Sequence, residues 1–382
     1  MSKVLITDGL WRKSVVAVRA LGKAGIQATV TGDSVLTSSF YSRYCHKRLL
    51  TPSPTAEPSA FLGAILEELA THEYDLIIPM EDDSIRALLP SRQEIEGLTY
   101  FPFPSTESLL LAFDKKRTLA LASQVGIPVP RQYCVPGDVG ERDYPIVLKP
   151  ATGSGSHGLV FVESQERLNS VLRTLPARLE TYLIEERLPP QGEEVGANLL
   201  FDRNHDCLAG FTYKRLRDYP VAGGPSTLRE STKDPELLDM SVRLLRQLNW
   251  HGVAMVEFKR DTRDNRLKLM EINPRFWGSL ALPVASGVNF PLLLMQMARG
   301  EAIKPIFDYR AGVRARWLIP GDILHFLSNP NRFHLQPSFF NFFDSNTHYD
   351  DFDPADPIGN VAVVACTLLN AVKPSMWRYV RR

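Results

Sequence analysis

The sequence predicts a mixed α/β and α+β protein, in which a wound parallel sheet is followed by antiparallel hairpins. Three observations carry this. Residues 3–7, 15–25 and 28–31 alternate strand, helix and strand patterns, and a third strand reads at 75–79 (DLIIP), the opening of a parallel sheet wound with helices. Residues 144–149 (YPIVLK) and 159–162 (LVFV) read as strands on either side of a glycine-rich loop. Residues 253–259 and 267–273 alternate polar and apolar side chains around the polar centre 261–265, the pattern of a strand-turn-strand hairpin. At 382 residues, 44% hydrophobic and 23% charged, the chain can build two or three domains with sizeable cores.

Composition also excludes. The formal net charge is +1 and no block of like charge forms a nucleic-acid footprint, so nucleic acid is a poor partner. Cys45, Cys134, Cys207 and Cys366 stand singly, which suits a reducing compartment and argues against a structural zinc site. The first residues lack the apolar core of a signal peptide, and a cytoplasmic location is expected.

Along the wound sheet, ligands are expected at the carboxyl ends of strands, which singles out Asp8, Gly9 and Arg12, and then Glu81, Asp82 and Asp83. Helix caps and first-turn acids explain the same residues. Residues 51–58 form a Pro-rich surface loop, and a helical pattern over 114–125 ends at Gly126-Ile127-Pro128. The loop 150–158 (PATGSGSHG) has G-x-G-x-x-G spacing, but a strand follows where a dinucleotide fingerprint needs a helix, and the Lys-Ser/Thr of a P-loop is missing. Its free backbone N–H groups are suited to covering phosphates. Residues 182–188 (YLIEERL) read as an adenine pocket or as an interdomain hinge. The basic aromatic segment 211–219 and the Gly-rich segment 222–231 read as an anionic substrate site, or equally as a solvated strand and a surface loop.

If the hairpin is symmetric about Asp264, Glu257 faces Glu271. Opposed side chains on paired strands sit roughly 5 Å apart, and two unit charges there repel by about 3 kcal/mol at an effective dielectric near 20. Val256, Phe258, Met270 and Ile272 then face a core, while Glu257, Glu271 and Asn273 share a cleft. Two carboxylates and an amide oxygen are hard ligands that suit Mg²⁺. The alternative is a solvated hairpin neutralised by Lys259 and Arg275.

Taken together, these residues resemble the ATP-grasp superfamily over roughly residues 1–300, in particular its carboxylate-amine ligases and its carbamoyl-phosphate-synthase-like and biotin-carboxylase-like members. The resemblance implies an ATP-grasp architecture: a Rossmann-like domain at 1–112, a small lid subdomain at 113–188, a larger antiparallel-sheet catalytic subdomain at 189–310, and an extension at 311–382 packing on the body. By the same resemblance Lys115 and Lys149 are the nucleotide lysines, and Gly153, Ser154, Gly155, Ser156 and Gly158 form the loop over the phosphates. Glu185, Glu186 and Leu188 match the adenine hinge. Glu194 matches the ribose acid, with Glu193 as its alternative because the preceding spacer LPPQGE is long. Glu257, Glu271 and Asn273 match the metal ligands, and Arg275 the arginine of an E-x-N-x-R run, with Arg215 as a second catalytic cation.

The implied activity is ATP-dependent ligation of a carboxylate to an amine through an acylphosphate, with Mg²⁺ as the metal and Mn²⁺ as its alternative. Other readings are a bicarbonate-using carboxylase, a carbamoyl-phosphate-type enzyme, or a nucleotide-binding regulatory subunit. Small-molecule carboxylate and amine partners are expected, and a homodimer is left open. In the tail, the 12-residue apolar run 361–372 precedes Lys373, Trp377, Arg378, Tyr379, Arg381 and Arg382. The run is too short to span a bilayer, which takes ~20 residues, and lacks the charged face of an interfacial helix. The expectation is a strand or short helix buried against the body, with no membrane partner and no sedimentation with anionic liposomes.

Overall fold

The computed structural model describes residues 1–153, 158–175, 178–221 and 223–371. Four parallel strands open the chain: β1 (Lys3–Ile6), β2 (Gln27–Gly32), β3 (Cys45–Leu50) and β4 (Leu76–Ile78), in the order β3-β2-β1-β4. Their central members are apolar on both faces, as a sheet covered by helices requires: Val4, Leu5, Ile6, Val30, Leu76 and Ile77 are buried. The edge strand β3 is not among the sequence-predicted strands. Its residues His46, Lys47 and Arg48 suit a sheet edge that must resist further pairing, and such polarity hides a strand from an apolar-run reading.

A small sheet follows, ordered β5-β8-β6-β7, from β5 (Gln132–Tyr133), β6 (Ile146–Pro150), β7 (Val160–Val162) and β8 (Tyr182–Glu186). β6 and β7 are antiparallel across the glycine-rich loop. The segment read as pocket or hinge, 182–188, is thus mostly strand. The small sheet has its own core of Ile146, Leu148, Val162, Leu168 and Ile184.

The largest sheet has seven strands, ordered β13-β12-β9-β10-β11-β14-β15. They are β9 (Glu194–Phe201), β10 (Cys207–Asp218), β11 (Ser226–Thr232), β12 (Gly252–Arg260), β13 (Leu267–Asn273), β14 (Arg314–Arg316) and β15 (Thr347–Tyr349). All its pairings are antiparallel except β14 with β15. One face packs on the helices Pro58–Thr71, Lys115–Gln124 and Pro235–Gln247. The other face shares a core with β1, β2 and β4 through Leu200, Phe211, Val253 and Trp277.

The hairpin β12–β13 pairs Glu257 with Glu271 as symmetry predicts, but by a different route. Next to the turn the register runs one residue tighter, Lys259 with Lys268 and Phe258 with Leu269, so a bulge at Met270 restores the predicted pairing. A bulge re-aims its side chain. Met270 is accordingly half-exposed in the cleft rather than in the core, and Leu269 is buried in its stead.

Residues after 310 are tied to the body by buried ion pairs. Asp322 is fully buried and accepts from Arg217 (2.8 and 2.9 Å, β10), Arg316 (2.6 Å, β14) and Thr227 (2.9 Å, β11). Asp350 joins Arg12 of the first helix to Arg229 of β11. Removing the acid from such a cluster strands two buried guanidinium groups, a loss of about 3–5 kcal/mol. Asp322→Ala is therefore expected to lower the urea midpoint by a matching amount, whereas an exposed control such as Asp308→Ala leaves it within experimental error.

Candidate active site

The cleft lies between the small sheet and the open end of the large one, lined by β6 to β10, the hairpin and Lys115. Strand alternation selects its residues. On β6, Val147 and Lys149 face the cleft two residues apart. On β8, Glu185 does the same, and it forms an ion pair with Lys149 with both side chains buried. Burial raises the Glu185 carboxyl above its usual range despite that lysine. Its Oε2 is buried and has no hydrogen-bond partner among the described residues.

Glu186 belongs to the opposite face of β8. Its side chain binds Lys268 (2.8 Å) and Arg263 (2.6 Å) and does not line the cleft, unlike Glu185 and Leu188. The same alternation separates Glu194 from Glu193. Glu194 lines the cleft between Arg215 (3.0 Å) and Lys259 (3.4 Å), while Glu193 is exposed and 3.8 Å from Lys214. Gly153 and Gly158 flank the glycine-rich loop with φ of 102° and 75°. A Cβ on Gly158 would lie 2.9 Å from Pro150 Cγ, so both conformation and space favour glycine there. Ser154, Gly155 and Ser156 lie outside the described residues.

At the floor, Glu257 and Glu271 face each other with Asn273 between them, its Nδ2 donating to Glu257 (3.2 Å) and to Glu271 (3.1 Å). Arg215 pairs with Glu257, and Lys115 lies 3.2 Å from Glu271 while also donating to the Gly153 carbonyl. Burial pushes the Glu257 carboxyl above its usual range, and the facing Glu271 adds to this against the pull of Arg215. For Glu271, burial works upward too but is outweighed by Lys115 and Asn273, so it stays below that range.

The donor set fits a hard divalent cation. Two carboxylates meet one amide, and rotating the Asn273 amide turns its oxygen toward the same point. Among the described residues no group of three His, Cys, Asp or Glu side chains is arranged around a common point, so a cation here would need ligands from a substrate as well.

Arg275 sits apart from the cleft lining. It reaches across to the wound domain, with Asp82 at 2.6 Å and Glu81 at 3.8 Å, and Lys13 pairs with Glu81 at 2.9 Å. Asp8 ties down the chain entering the helix that follows β4, accepting from the Met80 and Glu81 amides (3.2 and 3.1 Å) ahead of it and from the Ser84 hydroxyl (2.7 Å) within it. Sequence reasoning did not assign cleft roles to Lys259, Phe161, Arg187 or Met270, which also line it. Alternation with Lys149 and Glu257 was the available signal for Val147 and Lys259; the bulge gave none for Met270.

A family model described as ATP-grasp in the biosynthetic pathway with Ter operon matches residues 182–319. The arginine-specific large chain of carbamoyl phosphate synthase from Bacillus subtilis (strain 168) is 23% identical over 206 residues, 51% of this chain and 18% of that protein. D-alanine–D-alanine ligase from Neisseria gonorrhoeae (strain NCCP11945) is 27% identical over 246 residues, 58% of this chain and 77% of that one. Biotin carboxylase from Campylobacter jejuni, solved as a β-γ-ATP complex, superposes with a TM-score of 0.66 at 16% identity, covering 82% of this chain and 74% of that one. The chain thus spans less than a fifth of the carbamoyl phosphate synthase it matches. In sequence over residues 182–319 and in fold, the chain is thus similar to proteins of the ATP-grasp superfamily.

The raised carboxyl of Glu257 sets a pH dependence. Its folded value lies above the unfolded one, so between the two the folded state holds a proton that the unfolded state has lost, and stability falls as pH rises through that interval. Glu257→Gln removes this loss. The variant should exceed the unsubstituted protein in stability by on the order of 1 kcal/mol at pH 8, with the gap closing toward pH 5, measured by chemical denaturation without nucleotide or metal.

Proposed function

We propose that the protein is an enzyme, an ATP-dependent ligase that joins a small-molecule carboxylate to an amine. The observation that carries the reading is the facing pair Glu257 and Glu271 at the floor of a cleft that also holds Lys115 and Lys149. Lys149 and Lys115 would hold phosphate oxygens of ATP by charge-assisted contacts. Leu188, Phe161 and Met270 offer apolar faces to the adenine ring, and the unpartnered Glu185 oxygen is an acceptor suited to an amino group on its edge. Glu194, which lines the cleft, would accept from a ribose hydroxyl. Glu257, Glu271 and Asn273 would hold Mg²⁺, with Mn²⁺ as an alternative, and the metal would offset charge on the β and γ oxygens.

The substrate carboxylate then attacks the γ-phosphorus, ADP leaves, and the amine attacks the acylphosphate carbonyl to release phosphate. Arg215, which lines the cleft, would steady the phosphoryl oxygens. Arg275, which pairs with Asp82 outside the cleft lining, would have to turn toward the phosphates to act as the other catalytic cation. The glycine-rich loop would exclude water that hydrolyses the acylphosphate. The reading divides the chain at 112, 188 and 310, includes a cytoplasmic location and leaves a homodimer open; among the described residues no helix is long and apolar enough to cross a membrane. Bicarbonate in place of an organic carboxylate is the runner-up, motivated by the likeness to biotin carboxylase.

ADP release screened against paired carboxylates and amines tests the reading. With a pair in hand, Glu271→Gln should abolish turnover while preserving the fold, since it removes a charge with little change of shape; near-normal ADP formation would displace the metal site. Lys149→Ala should raise the Michaelis constant for ATP about 10- to 100-fold, as loss of a charge-assisted contact of about 1.5–3 kcal/mol implies. An unchanged constant would leave Lys149 as the counterion of Glu185 alone.

A further inference from the structure

Next to Arg215 the large sheet carries a second arginine that the nucleotide residues do not use. Arg229 on β11 stands directly opposite Arg215 on β10, and opposed residues of paired strands share a face, with side chains roughly 5 Å apart. Arg215 lines the cleft beside Glu257. Arg229 is fully buried, and Asp350 accepts from its Nη2. Its Nε and Nη1 have no hydrogen-bond partner among the described residues.

Side chains from two other parts of the chain close around it. Arg12 opens the first helix (Arg12–Lys23), at the carboxyl end of β1 where ligands of wound sheets sit. It pairs with Asp350 at 2.6 Å and lies over the Trp317 ring, 3.7 Å from its centroid. Its Nη2 is 3.8 Å from where a Cβ on Gly278 would stand, in the loop that follows Asn273 and Arg275. Asp351 accepts from the Ile319 amide through Oδ2 (3.1 Å), while its Oδ1 is buried and has no partner among the described residues. Burial and the neighbouring Asp350 push the Asp351 carboxyl up to about 6, against the pull of Arg12 and Arg229.

A buried polar group without a partner is costly, and here two donors of one arginine and an oxygen of a nearby aspartate are left together. Arg12 and Arg229 balance Asp350 and Asp351 in charge, so a ligand of one sign leaves a surplus, whereas a ligand carrying both signs satisfies both kinds of orphan. Guanidinium donors suit a carboxylate. A carboxylate oxygen suits an ammonium group, which only donates.

We propose that Arg12, Arg229 and Asp351 form the subsite of the amine substrate, and that this substrate is an α-amino acid, held by its carboxylate on the two arginines and by its ammonium on Asp351. The role of the amino acid as the amine rests on the ligase reading; its binding does not. Arg12 alone of the three has a side chain with a sizeable exposed edge, 17%, so its movement off the Trp317 ring is the way in. Trp317, Asp350 and Asp351 all lie after residue 310, and the extension thereby takes part in substrate recognition as well as packing on the body.

Calorimetric titration of the full chain with each protein L-amino acid and its D-enantiomer, with and without Mg²⁺ and a non-hydrolysable ATP analogue, tests it. At least one amino acid should bind. Its methyl ester and its N-acetyl derivative each lose one charge and should bind about tenfold or more weakly, as loss of a charge-assisted contact implies. Asp351→Asn keeps an oxygen for the Ile319 amide and should weaken the amino acid by a similar factor, with thermal midpoint and ATP-analogue affinity unchanged. Arg12→Lys keeps the charge but loses the fork, and should weaken it as well. Binding by none of the amino acids overturns the proposal. So does binding that the ester, the N-acetyl derivative and Asp351→Asn leave intact, since ordered water alone then satisfies the buried atoms. Failure of the ligase reading looks different: the unsubstituted chain then binds the amino acid but no ATP analogue, which upholds the amino-acid site and strikes only its place in a ligation.

Discussion

The facing of Glu257 and Glu271 is the constraint on which the rest of the site depends. Two carboxylates at one register of a hairpin repel unless cations come to them. Arg215 comes from β10 and Lys115 from the start of a helix in a different part of the chain. Lys115 also reaches the Gly153 carbonyl at the edge of the glycine-rich loop. One pair of acids thus draws together the large sheet, the small sheet and the helix between them, with the cleft in the middle. A cation bridging the acids and a nucleotide would free Lys115 and Arg215 for phosphate oxygens, which links binding to the positions of both cations.

The same economy of charge holds the periphery. Asp322, Asp350 and Asp356 all lie late in the sequence, and each accepts from arginines on strands or helices laid down earlier. Buried pairs of this kind are weak evidence for stability, but losing one member is costly. They fix where β14 and β15 extend the sheet and where the last described helix rests. That last placement leaves an apolar face outward, on the side of the molecule that carries Arg43 and Arg48.

Much of this was legible in the sequence where a period was clean. The alternation of residues 253–273 gave the hairpin and the facing acids, and the strand before the glycine-rich loop carries Lys149, which lines the cleft. Phase was harder. Glu185 and Glu186 are adjacent, and only the sheet shows which one looks into the cleft, because both fit an apolar strand with two acids. The Met270 bulge was invisible, since a one-residue register change leaves no mark on composition. β3 was hidden by its polarity, and Arg275, legible as part of its motif, turns to Asp82 and Glu81 of the wound domain instead of the cleft. The final helix packs on the body through Ala362, Val363, Cys366 and Asn370 as expected, but an apolar run does not say how many of its faces are covered, and Ile358, Val361, Leu368 and Leu369 are exposed.

The central claim is that the two facing carboxylates share a divalent cation with a nucleotide. Calorimetric titration of a non-hydrolysable ATP analogue, in Mg²⁺ and again in excess chelator, tests it most directly. The account predicts affinity at least tenfold tighter with Mg²⁺, because without it the triphosphate must approach two acids. Equal affinity in both conditions would contradict it, leaving the pair as a neutralised structural feature of the hairpin.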